Sequence, residues 1–146
     1  MKSMENAIIC LIGIFAIVMM SPRISLGDEL KELQGKWETR FQENGRNMRA
    51  IKFIEGETET VETYDGNQLV HRHVVKLEAI ETEDVCVIKY GESTVTDGPR
   101  KGQRGTPGSF VSKRLKNKWY NLGGLRANEE FPPSLTEFTR VPDDKK

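Results

Sequence analysis

ELQGKWETRF, residues 32–41, decides the fold class of this chain. Its second half alternates with a period of two. Trp37, Thr39 and Phe41 fall on one face of an extended strand, and Lys36, Glu38, Arg40 and Gln42 fall on the other. That is the pattern of a half-buried β-strand. The residues just before it, 28–34, read as a short acidic helix, and Gly35 lets the backbone turn sharply from that helix into the strand. Trp37 is then placed to plug one end of whatever the strand helps to enclose.

Downstream, the same alternation recurs and helical patterning does not. Asn44 and Gly45 signal a turn, and NMRAIKFIE (47–55) follows as a second strand with Ile51 and Phe53 on one face. TETVETY (58–64) is a third strand, and Asp65-Gly66 a hairpin turn. QLVHRHVVKLEAI (68–80) and VCVIKY (85–90) are the fourth and fifth. A glycine-rich connector is expected from Gly91 to Gly108. SFVSKRL (109–115), KWYNLGGL (118–125) and LTEFTRV (135–141) read as three more strands. About eight strands joined by short turns, without intervening helices, exclude βαβ units and a parallel sheet. They predict an all-β fold, an up-and-down antiparallel barrel spanning residues 28–141, with a two-sheet sandwich as the alternative. The charged residues 142–146 form a tail.

Upstream, the chain reads as an export leader. Lys2 opens it, residues 7–20 are an apolar run, and Ser25 and Gly27 stand at the −3 and −1 positions of a cleavage site between Gly27 and Asp28. The run is short for a membrane span, so no stable span is expected after cleavage. Cys10 lacks the context of a lipid attachment site. Removing the first 27 of 146 residues leaves 119, enough for one domain with one modest core. Losing Lys2, Arg23 and Glu5 takes 22 basic and 22 acidic residues to 20 and 21, a net charge of −1. That balance gives no general attraction to nucleic acid or anionic membrane. Cys86, the sole cysteine left, cannot form an internal disulfide.

The combination Gly35-x-Trp37 after a short helix, with Arg140 in the last strand placed to stack on the indole, resembles the lipocalin signature. LQGKW (33–37), DGPRKG (97–102), GSFVSKRL (108–115) and TEFTRV (136–141) together resemble a family of small exported bacterial proteins with lipocalin-like domains of unknown function. The resemblance covers nearly all of residues 30–141. It implies a β-barrel and export, and it implies no reaction and no catalytic residues.

His71 and His73 are the only histidines and share a strand face with Leu69 and Val75. They are expected to line the barrel interior or its mouth. His-x-His also begins several β-barrel metal sites, but no third His is present, Cys86 alone would remain after cleavage, and Glu78 has the wrong parity. Arg100, Lys101 and Arg104, in a loop of five glycines, could hold an anionic group with backbone N–H donors, or simply be solvated. Cys86 reads as a small buried hydrophobe. The acidic residues of EGETETVE (55–62) read as a solvated face. No P-loop, dinucleotide fingerprint, zinc-finger spacing or Ser/His/Asp arrangement occurs. The expectation is a non-catalytic exported protein, periplasmic or secreted, that needs no cofactor. It would bind a small, largely apolar molecule in the barrel, or a partner through its loops. The alternatives are a metal-dependent enzyme or metal carrier built on His71 and His73, and a structural envelope protein with a filled barrel.

Overall fold

The alternating runs become strands at nearly the predicted positions. The computed structural model describes residues 27–83, 85–125 and 132–142; the leader before Gly27 and most of the charged tail lie outside the described residues. A one-and-a-half-turn helix, α1 (Asp28–Leu33), precedes β1 (Gly35–Glu43), β2 (Arg46–Glu55), β3 (Thr58–Asp65), β4 (Gln68–Glu81) and β5 (Cys86–Tyr90). Then come β6 (Ser93–Asp97), β7 (Arg104–Gly105), β8 (Gly108–Leu115), β9 (Lys118–Gly123) and β10 (Ser134–Arg140). Two-residue turns join the early hairpins. At the first, Asn44 and Gly45 both take positive φ, 50° and 75°, which matches the right-handed twist of the flanking strands.

The stretch from Gly91 to Gly108 is not a plain connector. It holds β6 and β7, which pair with each other through Ser93↔Gly105 and Thr94↔Arg104. Their register continues, without slip, that of β5 with β8, where Tyr90 faces Gly108. β5–β6 and β7–β8 are therefore two long strands of one hairpin, each briefly interrupted near its middle. Among the interrupting residues is Pro107, which has no N–H to give a ladder. β4 runs along this hairpin, pairing with β5 through its C-terminal half and with β6 through its N-terminal half.

Counted this way, eight strands follow one another as neighbours. The sheet runs β3-β2-β1-β10-β9-β8-β5-β4 and closes where β3 pairs with β4. The result is an eight-stranded antiparallel barrel in which every strand lies beside its sequence neighbour and β1 meets β10. Closure removes exposed sheet edges wherever the ladders are complete.

One end of the barrel is packed shut. Leu30 and Leu33 of α1 drop onto Trp37, Ile54, Val75, Leu77, Ile88, Trp119 and Phe138, all buried. The Trp37 indole N–H donates to the Leu33 carbonyl at 2.7 Å. The Arg140 guanidinium lies 4.3 Å from the Trp37 ring centroid and donates to the carbonyls of Gln34 at 2.8 Å and Glu32 at 2.5 Å. Arg140 thus satisfies carbonyls at the end of α1 that the helix itself cannot. Trp37 meets Trp119 edge-on at 5.7 Å.

The structure assigns the faces of β2 and changes the reading of β3. On β2 the inward face is Met48, Ala50, Lys52 and Ile54; Ile51 and Phe53 face outward, as their pairing with Glu38 and Lys36 shows. Ile51 is nevertheless buried, on the outer face beside Glu38 and Glu62, its partners on the flanking strands. On β3, Glu59 does not belong to a solvated face. It is only 4% exposed, in register with Ile54 and Val75 on the core side.

Candidate functional site: the barrel interior and its openings

The buried Glu59 has its counter-charge inside the barrel. Lys52 reaches across from β2 to within 3.0 Å of the Glu59 carboxylate. The same ammonium lies 5.1 Å from the Phe110 ring, 4.9 Å from Trp119 and 5.0 Å from Phe138. Three aromatic faces and one carboxylate replace the water that a lysine head ordinarily keeps. The pair occupies the middle of the barrel, above the apolar plug.

His73 and His71 stand along β4 beyond that pair, toward the opposite end. Both belong to the inward alternation, with His73 facing Val61 and Val95 and His71 facing Thr63. His71 Nε2 and His73 Nδ1 are 2.9 Å apart, so each ring already spends one nitrogen on the other. Burial holds both imidazoles below the ordinary histidine range. Arg100 adds to this at His71; at His73 the neighbouring His71 and Lys52 push the same way against the opposing pull of Glu59. Both rings are thus held neutral near pH 7.

Leu69 does not join them. A register shift between Thr63 and Tyr64 sets Leu69 opposite Tyr64, out of the histidines' alternation. Val75 keeps that alternation but sits in the apolar plug. Among the described residues no cluster of three or more His, Cys, Asp or Glu side chains is disposed to hold a metal ion.

The basic residues are spread along the β6–β7 hairpin. Arg104 lies in β7 and points to Glu92 at 3.8 Å, with its side chain mostly exposed. Arg100 and Lys101 are at the exposed hairpin tip, where three backbone N–H groups are already used within the turn. Lys101 donates to Gly98, Gly102 to Val95 and Gln103 to Arg100, at 2.8–3.1 Å. The tip is seated hard on β4 at Gly98, where a Cβ would come within 2.0 Å of the Val70 carbonyl oxygen.

Cys86 is half-buried, and its thiol is pushed up to about 12 by burial and by the nearby Glu29 and Glu81 carboxylates. It stays protonated, which removes it as a nucleophile. Glu29 accepts from Ser112, which in turn accepts from the Trp119 indole, both at 2.9 Å. Asn121, alternating with Trp119 on β9, is 7% exposed, and its side-chain oxygen has no donor among the described residues.

Openings interrupt the wall, and two of them bear on binding. One, of about 880 Å³, lies beside α1, where Leu30, Leu77, Ala79 and Tyr90 line it with Lys76 and Lys89 among its polar residues. It lies where β4 outruns β3, whose last pair with it is Thr58↔Lys76. The second, of about 650 Å³, runs between β1 and β10.

Compared with known proteins, the chain matches no protein-family model, no curated protein and no solved structure. No helix among the described residues is long and apolar enough to cross a membrane.

Sequence reasoning missed Lys52, Glu59 and Asn121. A signal for the first existed: Met48, Ala50 and Ile54 share its parity, which places a lysine on an otherwise apolar face. Its partner across the turn is Glu59.

Proposed function

We propose that this protein is an exported, non-catalytic, lipocalin-like binding module that takes up a small, largely apolar molecule. One observation carries the reading: the cleft of about 880 Å³ with Leu30, Leu77, Ala79 and Tyr90 in its lining. Its size falls in the range of small-molecule sites, which combine apolar walls with a few polar groups. Lys76, Lys89, Glu57 and Glu78 supply those polar groups. The cleft is beside α1, so the ligand enters near the packed end and not at the histidine pair. The Lys52–Glu59 pair fills the centre of the barrel and supports a shallow site over a deep one. The leader-like residues 1–27 support export, periplasmic or secreted. The metal reading of His71 and His73 is less favoured, because the two rings hydrogen-bond each other and no third ligand joins them among the described residues.

Native mass spectrometry of the protein recovered from the exporting cell tests the reading, alongside titration with an apolar fluorescent probe. An adduct of small-molecule mass, or saturable probe binding at one site, is expected, and Ala79→Trp should abolish it by filling the cleft. Probe binding unchanged in that variant would move the site elsewhere; no binding at all would favour a structural role. One tightly held metal ion per chain, lost on replacing both histidines with Gln, would favour the metal reading.

A further inference from the structure

The barrel is not fully zipped where its first strand meets its last. β1 and β10 pair only at Trp37↔Arg140 and Glu38↔Thr139. Both strands then continue, β1 through Thr39 to Glu43 and β10 from Phe138 back to Ser134, each still fully paired on its other side. Along these stretches they face each other without a ladder. The space between them is the second opening, about 650 Å³, lined by Thr39, Arg40, Phe41, Leu135, Thr136 and Glu137 among others.

Two facing strand edges present backbone N–H and C=O groups at every second residue on each side. Water satisfies them only as long as the gap stays open, and an unpaired edge is a template for strand addition. We propose that this seam is a docking site for an extended peptide segment of another protein, which inserts as an extra strand between β1 and β10.

The lining favours that occupant over a compact small molecule. Only an extended polypeptide offers donors and acceptors at strand spacing to both edges at once. Inward, the inserted strand would meet Thr39, Phe41 and Thr136, so small β-branched or apolar residues fit its inner face. Outward, Arg40 lies on one lip and Glu137 on the other, opposite charges that favour neutral polar residues on the outer face. Phe41 and Leu135 are 40% and 66% exposed at the wide end, ready to be covered by the same segment. This inference stands apart from the small-molecule cleft, whose lining shares no residue with the seam.

A phage-displayed library of random heptapeptides, panned on the purified protein, is the test, with selected sequences remade and titrated by fluorescence anisotropy. Selected peptides should alternate β-branched or apolar residues with polar ones. Methylating alternate backbone amides of the peptide should weaken binding at least tenfold. Two seam variants should do the same: Arg40→Cys with Glu137→Cys, whose disulfide closes the gap reversibly, and Thr136→Trp, which fills it without a cross-link. Circular dichroism and thermal melting of both variants report whether the barrel is intact. Amides of Thr39–Glu43 that face the gap should exchange quickly in the free protein and at least tenfold more slowly with peptide bound. The proposal is overturned if those amides are already slow in the free protein, or if no selected peptide loses binding in a folded seam variant. It is also overturned if the protein self-associates and a seam variant abolishes that association, which would assign the seam to a second copy of the chain.

Discussion

Lys52 and Glu59 are the residues in this barrel most costly to separate. Each is charged, nearly water-free and held by the other, with three aromatic rings around the ammonium. Removing one partner strands the other, so Lys52→Met or Glu59→Leu alone should cost about 3–5 kcal/mol. The double replacement should recover most of that loss, because apolar residues of similar volume replace a desolvated pair. Denaturant unfolding of the four proteins in a double-mutant cycle measures this, and two additive losses would contradict it. The histidines give a second residue-scale expectation. Their folded-state pKa values lie below 6.5, so the unfolded chain binds more protons as the pH falls past that value. Stability is then fully present above about pH 6.5 and declines as acidification reaches the lowered folded values. Lys52, Glu59 and Arg100 are the charged groups acting on the pair. Glu62 also contributes acid sensitivity, at lower pH. Burial raises its pKa, but Tyr64 and Arg72 outweigh burial and hold it below 4.5. Replacing both histidines with Gln should flatten the denaturation midpoint just below about pH 6.5 while leaving the lower-pH decline that Glu62 contributes in place.

At the scale of elements, the hairpin of β6 and β7 depends on one glycine more than on its composition. Gly98 sits at φ +96° against the Val70 carbonyl, whereas Gly102, at φ +87°, has nothing within 4 Å. Gly98→Ala therefore incurs both backbone strain and a collision, and the tip must lift from β4. Gly102→Ala incurs strain alone, about 1–2 kcal/mol. Thermal unfolding should rank Gly98→Ala as clearly the more damaging, and amide exchange at Val95, which donates to Gln103, should accelerate only in that variant. Equal effects would mean that the seating on Val70 contributes nothing. This hairpin also marks where the sequence becomes hard to read. STVTD has strand-like β-branched residues, but the glycines and Pro107 around it look like a connector. The evidence for a strand is its register with β4 and β7, a long-range property that no local pattern carries. The opposite holds for β1 to β4, where clean alternation and short turns made the strands legible almost to the residue. What alternation left open there was which face is the core: Ile51 and Phe53 share one face of β2, and the core takes the other, with Lys52, because Glu59 neutralises it.

For the whole molecule, closure rests on a short contact between the first strand and the last. The Gly35-x-Trp37 pattern and the late Arg140 pointed in sequence to one sealed end, and their geometry explains how an up-and-down chain stays a barrel despite a seam. Only two register pairs join β1 to β10, so the side chains at that point carry much of the closure. Trp37 is fully buried, and Trp37→Ala should cost about 3–5 kcal/mol, as large aromatic truncations do. Arg140→Ala removes a guanidinium stacked on that indole and two charge-assisted bonds to the carbonyls of Glu32 and Gln34, each typically worth about 1.5–3 kcal/mol. Because the indole also holds Leu33 through its N–H, losing either residue loosens the helix that the other needs. The two losses should therefore fall short of additive, with a coupling of about 0.5–3 kcal/mol in a double-mutant cycle. Amide exchange supplies a spatial check: either substitution should speed exchange at Val141, whose N–H donates to Lys36 across the junction, before it affects the β2–β3 ladder on the far side. Uniform acceleration over the whole barrel, with no coupling, would mean that the Trp37–Arg140 contact is incidental to closure.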